Sequence, residues 1–153
     1  MCGVFGFYLK RPLTESDVAA GKRYLGMLHH RGPDNTGVHT DVDAGLFLGH
    51  KRLSIIDTSA DGHQPMARHG RVISYNGEIY NYVELADQLR GLGARFTTSS
   101  DTEVLLESWL NWGPQALDRF DGMFAFALFD QGKLHLATDP FGEKPMYLVE
   151  TAE

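Results

Sequence analysis

The period of apolar and polar positions changes several times along the 153-residue chain, and each change marks an element. Residues 2–9 are apolar or small at almost every position and predict a buried strand, closed by Lys10-Arg11-Pro12. Glycines at 3 and 6 weaken that strand and suggest close approach of another backbone or a ligand. Residues 14–27 switch to helical spacing, with Val18, Gly21, Leu25 and Leu28 on one face and Thr14 with Asp17 as a capping pair. A turn-rich loop at 29–37 follows. Residues 37–40 and 44–56 predict two short strands, separated by the polar Asp41-Val42-Asp43. After a loop at 57–65, residues 71–75 predict another strand, and Asn76-Gly77 is the strongest tight-turn dipeptide in the chain.

The second half alternates more clearly. A helix at 83–92 carries Val83, Ala86 and Leu89 on one stripe, with Gly93 as its C-terminal stop. The next helix begins at Ser100 or Asp101, where Ser100 and Glu103 have capping-box spacing. Its apolar side is Val104, Leu105, Ser108, Trp109 and Trp112, both tryptophans being read as core, and Gly113-Pro114 ends it. Residues 122–130 and 133–139 form a hairpin around Gln131-Gly132, and 144–149 predict a last strand. Strands come in runs with helices clustered between them, which favours an α+β fold over alternating α/β.

Composition narrows the function classes. The length suits one domain with a real core, and 42% apolar with 22% charged residues is ordinary for a globular protein. A single cysteine excludes an intrachain disulfide and suits a reducing, cytoplasmic location. The chain has neither an apolar run of membrane-spanning length nor the pattern of a secretory signal. A formal charge of −6 disfavours sequence-independent binding to nucleic acid.

The lone cysteine is also the sharpest chemical signal, because it is residue two. Removal of Met1 ahead of so small a residue would leave Cys2 with a thiol and a free α-amine on one carbon: a nucleophile carrying its own general base. Such an amine titrates near ~7.7–8.0 and can accept the thiol proton at neutral pH. Four further positions fit an acyl-transfer site. Asn76 and the Gly77 N–H could stabilise an oxyanion. Arg52 could grip the α-carboxylate of an amino acid, and Glu78 and Asp101 its α-ammonium. Each has a plainer reading: Arg52 as a solvated charge, Asn76-Gly77 as a hairpin turn, Glu78 as a surface residue, Asp101 as a helix cap. His29, His30 and Arg31 read most simply as exposed loop residues.

Seven segments in order decide between these readings: Cys2-Gly3-Val4-Phe5-Gly6, His30-Arg31-Gly32-Pro33-Asp34, Gly49-His50-Lys51-Arg52-Leu53-Ser54-Ile55-Ile56-Asp57, Asn76-Gly77-Glu78-Ile79-Tyr80-Asn81, Ser100-Asp101-Thr102-Glu103-Val104, Gly122-Met123-Phe124-Ala125-Phe126-Ala127 and Asp139-Pro140-Phe141-Gly142-Glu143-Lys144-Pro145. Together they closely resemble the N-terminal glutaminase domain of glutamine-hydrolysing asparagine synthetases, which are class II glutamine amidotransferases. The likeness covers essentially the whole chain, so residues 1–153 are expected to be one such domain.

The resemblance implies an N-terminal-nucleophile hydrolase fold, a four-layer αββα sandwich of two antiparallel sheets. It also implies hydrolysis of L-glutamine to glutamate and ammonia through a γ-glutamyl thioester on Cys2. Asn76 and Gly77 then match the oxyanion hole, Arg52 the carboxylate clamp, and Glu78 and Asp101 the amino-group contacts. Backbone groups at Leu53 and Ile55 would also touch glutamine. No metal or cofactor is implied for this half-reaction. ATP and magnesium belong to a synthetase part, absent from this sequence, that would accept the ammonia; oligomeric state is left open, a homo-oligomer included. Thr138 stands where the family generally has Arg, and the chain stops some tens of residues before such domains usually finish, which leaves the last strands short. The rival reading is a non-catalytic glutamine-binding or assembly module, favoured if Met1 stays in place and ties up the Cys2 amine.

Overall fold

A computed structural model describes residues 1–54 and 60–151. Among them are seven strands and three α-helices: β1 (Gly3–Tyr8), α1 (Glu15–Met27), β2 (Asn35–Asp41), β3 (Leu46–Arg52), β4 (Met66–Arg68), β5 (Arg71–Ile79), α2 (Tyr82–Gly91), α3 (Asp101–Trp112), β6 (Gly122–Asp130) and β7 (Lys133–Thr138). The strands form two antiparallel sheets, ordered β1-β3-β2 and β4-β5-β6-β7. With α1 against the first sheet and α2 and α3 against the second, the result is the expected α+β sandwich of four layers.

Sequence dictates how each layer closes. Helix α1 starts at Thr14, whose hydroxyl accepts from the Asp17 N–H while the Asp17 carboxylate accepts from the Thr14 N–H: the capping box its spacing predicted. The helix can lie close on β3 because Gly21 faces Phe47 and Gly49 faces Leu25, with no Cβ between. Between the sheets, Leu46 and Leu48 of β3 meet Val72 of β5 and Ala127 and Phe129 of β6. The largest core lies on the far side of the second sheet. There Ile73, Ile79, Phe124, Phe126 and Leu128 pack against Leu85 and Leu89 of α2 and Leu105 and Trp109 of α3. Trp109 is buried and Trp112 packs partly buried against the same core, as the helical spacing implied.

Several expectations fail locally. Asn76-Gly77 makes no turn but lies inside β5, which runs four residues beyond the predicted end at 75, because pairing with β6 supplies partners out to Ile79. The predicted 44–56 strand ends at Arg52, where the ladder with β1 and β2 runs out. Val83 is exposed on α2, and the buried stripe is Leu85, Ala86 and Leu89. Ser100 caps α3 by accepting from the Thr102 N–H, but Glu103 completes no capping box. Its carboxylate accepts instead from the N–H groups of Thr97 and Thr98 and pairs with Arg68. Residues 144–149 form no strand, and Tyr147 and Val149 are almost fully exposed.

Candidate active site

Antiparallel pairing puts alternate residues of β3 and β5 on the facing surfaces of the two sheets. From one end to the other, β3 presents Leu46, Leu48, His50 and Arg52, while β5 presents Val72, Ser74, Asn76 and Glu78. The inter-sheet space therefore grades from apolar to polar within four residue pairs. Halfway along, Ser74 Oγ donates to the Gly49 carbonyl at 3.1 Å, and His50 Nε2 donates to the Tyr75 carbonyl at 3.0 Å. Burial, the largest influence on His50, holds its pKa down at about 4, so the ring is a neutral strut between the sheets.

The polar end opens into a cleft lined by Cys2, Arg52, Leu53, Asn76, Gly77, Glu78 and Asp101. Every site residue named from the sequence is thus brought together, except Ile55, which lies outside the described residues. Cys2 sits one residue before the Gly3–Lys51 pair at the edge of its sheet. Its sulfur is bracketed by the Leu53 backbone, accepting from the N–H at 3.4 Å and donating to the carbonyl at 3.6 Å. The loop before β2 braces this arrangement. Arg31 donates to the Cys2 carbonyl at 3.4 Å, the Asp34 N–H donates to the Arg52 carbonyl, and the Asp34 carboxylate accepts from the Ser54 N–H. His29 and His30 are exposed, as read from the sequence.

The β5 backbone is arranged unusually at the cleft. Phe124 spends both its N–H and its carbonyl on Asp139, on the β7 side. Gly77, which pairs with Phe124, therefore turns its own N–H and carbonyl away from β6, toward the edge that the short β4 leaves bare. Along that edge the Tyr75 N–H is taken by Gln64 Oε1 at 2.7 Å and the Ile79 N–H by Asp101 Oδ2 at 3.1 Å. Between them, the Gly77 N–H has no acceptor among the described residues, and neither the buried side chain of Asn76 nor the half-buried one of Glu78 has a partner there. Glycine is required at 77 by space: a Cβ would sit 2.7 Å from both Phe124 Cα and the Tyr75 ring.

Asp101 is 5% exposed at the first turn of α3, and its Oδ2 accepts from the Tyr75 hydroxyl at 2.7 Å as well as from the Ile79 N–H. Burial pushes its carboxyl above the ordinary range, and nearby Glu78 adds to that; the hydroxyl and backbone donors pull the other way without cancelling the burial. Burial first, and then Asp101, drive the Tyr75 phenol well above 10, so it remains a donor. Asp101 is not the helix cap of the plainer reading: Ser100 caps α3, and Asp101, the first helical residue, has its place in the cleft.

Among the lining residues that sequence reasoning missed, Tyr75, Gln64 and Lys144 organise the cleft. Tyr75 and Gln64 hold the β5 edge and α3 together, Gln64 Nε2 donating to Thr102 Oγ1 at 3.2 Å. A tyrosine inside a predicted buried strand was the available signal, since its hydroxyl must find a partner. Lys144 reaches the cleft with its ammonium donating to Met1 Sδ at 3.2 Å. Its loop is gathered by the Asp139 carboxylate, which accepts from the N–H groups of Phe124, Phe141, Glu143 and Lys144. Burial disfavours the Asp139 charge, but those donors outweigh it and hold the carboxyl below its ordinary range.

Two stacked antiparallel sheets between helical layers, with a cysteine at the head of an edge strand, define an N-terminal-nucleophile hydrolase fold. The solved structure of glutamine phosphoribosylpyrophosphate amidotransferase from Bacillus subtilis, complexed with ADP and GMP, shares this fold at a TM-score of 0.72 and 24% identity, over 91% of this chain and 37% of that one. More particularly, residues 1–153 match the glutamine amidotransferase domain, and the chain belongs to that family. Asparagine synthetase [glutamine-hydrolyzing] 1 of Bacillus subtilis is 42% identical over 153 residues, covering 96% of this chain and 24% of its own length. Asparagine synthetase B [glutamine-hydrolyzing] of Escherichia coli K12 is 37% identical over 155 residues, covering 97% of this chain and 27% of its own length. The chain thus spans about a quarter of these curated relatives. No helix among the described residues is long and apolar enough to cross a membrane.

Proposed function

We propose that this domain hydrolyses L-glutamine to glutamate and ammonia through a thioester on Cys2. One observation carries the reading: the Cys2 sulfur shares a cleft with an amide, Asn76, and a backbone N–H, Gly77, neither of which is spent on the protein among the described residues. Once Met1 is gone, the Cys2 α-amine takes the thiol proton as sulfur attacks the carboxamide carbon. Charge develops on the carboxamide oxygen, where Asn76 and Gly77 donate to it. The protonated amine then gives its proton to the departing nitrogen, ammonia leaves, and water hydrolyses the thioester with the same amine as base. Arg52 holds the substrate carboxylate, with Leu53 and Ile55 contributing backbone contacts, and Glu78 and Asp101 hold the ammonium. The residues complete these steps without a metal or cofactor.

The relatives' names support a destination for the ammonia: an ATP-dependent, amide-forming synthetase part, with magnesium and ATP bound there rather than here. A cytoplasmic location, supported by the lone cysteine, goes with that reading. Intact mass and glutamate release, measured on one preparation, test it. Processed protein is expected to release glutamate steadily, and Cys2→Ala to bind glutamine without turnover. Normal turnover by Cys2→Ala sinks the mechanism. The position of Met1 in the cleft, against Lys144, favours a second reading for unprocessed chain: with the Cys2 amine in a peptide bond, the domain binds glutamine but does not cleave it.

A further inference from the structure

We propose that Tyr75 is a positioning residue for substrate recognition: its hydroxyl aims the Asp101 carboxylate at the amino group of glutamine. The inference rests on the reading that Asp101 meets that amino group. Tyr75 is 2% exposed, with its ring packed in the core on the helical side of β5; it borders the cleft, and its part in recognition runs through Asp101. Its hydroxyl nevertheless bonds Asp101 Oδ2 at 2.7 Å. With the Ile79 N–H at 3.1 Å on the same oxygen, one side of the carboxylate is saturated by protein. Lone pairs that face the cleft remain for a ligand ammonium. Gln64 in turn fixes the strand and the helix relative to each other, because its side chain bridges the Tyr75 N–H and Thr102 Oγ1. The link therefore runs from β5 to the first turn of α3 through side chains, and a phenylalanine would break it at one atom.

The charged and titratable groups that share the cleft with Asp101 are Glu78 of β5, Cys2 just ahead of β1 with the chain's terminal amine, Arg52 of β3 and Lys144 of the C-terminal loop. All are common to the wild type and Tyr75→Phe, so a comparison isolates the hydroxyl. Without that donor, burial pushes the Asp101 carboxyl still higher, and the acid limb of kcat/KM for glutamine moves to higher pH. KM is expected to rise about 5- to 20-fold, less than the full loss of a hydrogen bond to a charged group because Asp101 keeps its Ile79 donor, with kcat nearly unchanged. A substrate lacking the amino group, 4-carbamoylbutanoate, separates positioning from general damage. Its kcat/KM, low in the wild type, is expected to be the same in Tyr75→Phe. An equal fall for both substrates, or an unmoved acid limb, overturns the proposal. Calorimetric titration of glutamine into Cys2→Ala and Cys2→Ala/Tyr75→Phe asks the same question without turnover. Weaker binding by the double variant supports the proposal, and equal affinity overturns it. Absence of glutamate release by processed wild type would instead remove the hydrolase reading, while the titration still decides the part played by Tyr75.

Discussion

Asn76 and Gly77 divide one task between a side chain and a peptide group, and the two behave differently under mutation. Asn76 faces the opposite sheet in the same row as Ser74, and its amide has no partner among the described residues. Removing it deletes a donor without opening a core. Asn76→Ala is expected to lower kcat for glutamine by about 10²–10³-fold. KM should change far less, because the charge that Asn76 meets appears only as the tetrahedral intermediate forms. Steady-state kinetics separate the two parameters. A rise in KM with kcat intact would make Asn76 a binding residue instead.

At the scale of elements, the cleft depends on where strand ladders stop. Strand β4 covers only three residues of β5, and β5 meanwhile runs on against β6 to Ile79. That mismatch leaves peptide groups 75, 77 and 79 on a bare edge, of which two are occupied by side chains and one is open. A methyl group on residue 77 cannot enter without parting β5 from β6, given its approach to Phe124 and Tyr75. Gly77→Ala is therefore expected to cost about 1–3 kcal/mol of stability and to misdirect the very N–H that the mechanism uses. Thermal melts and glutamate release should fall together, whereas a stable, fully active Gly77→Ala protein would refute the strand geometry argued here.

The whole molecule is two sheets held face to face, with a titratable strut between them. His50 is fully buried and neutral, with a pKa near 4, whereas in the unfolded chain an imidazole titrates near 6.5. Between those values the unfolded chain binds more protons than the folded one, so acid favours unfolding there. The His50 contribution is flat above about 6.5, falls as the pH drops and levels off below about 4. From pH 7 to pH 5 the loss is on the order of 2 kcal/mol. Asp139 acts in a lower window. Its folded pKa lies below the unfolded value, so its contribution is present above that value and is lost as the pH falls through the folded pKa. His50→Gln keeps an amide donor for the Tyr75 carbonyl, and its unfolding midpoint should fall less between pH 7 and pH 5 than that of the wild type. Parallel pH curves for the two proteins would exclude His50 as the source.

Periodicity in the sequence determined the α+β class, the helix faces that bury Leu25, Leu89 and Trp109, the Thr14 capping box and the hairpin at Gln131-Gly132, because each follows from spacing within one element. Its motifs also named the cleft residues. Their convergence was not local information: Cys2, Arg52, Asn76 and Asp101 meet only because two ladders and a helix start end at the same face. Tertiary structure likewise overrode the turn propensity of Asn76-Gly77, since β6 offers that dipeptide a strand partner and the bare edge gives its N–H a use. It drew Glu103 away from its cap to Arg68 and the Thr97–Thr98 backbone, and it recruited Tyr75, Gln64 and Lys144. Those outcomes turn on which groups are left unsatisfied after the sheets and helices pack, a quantity that exists only in the folded chain.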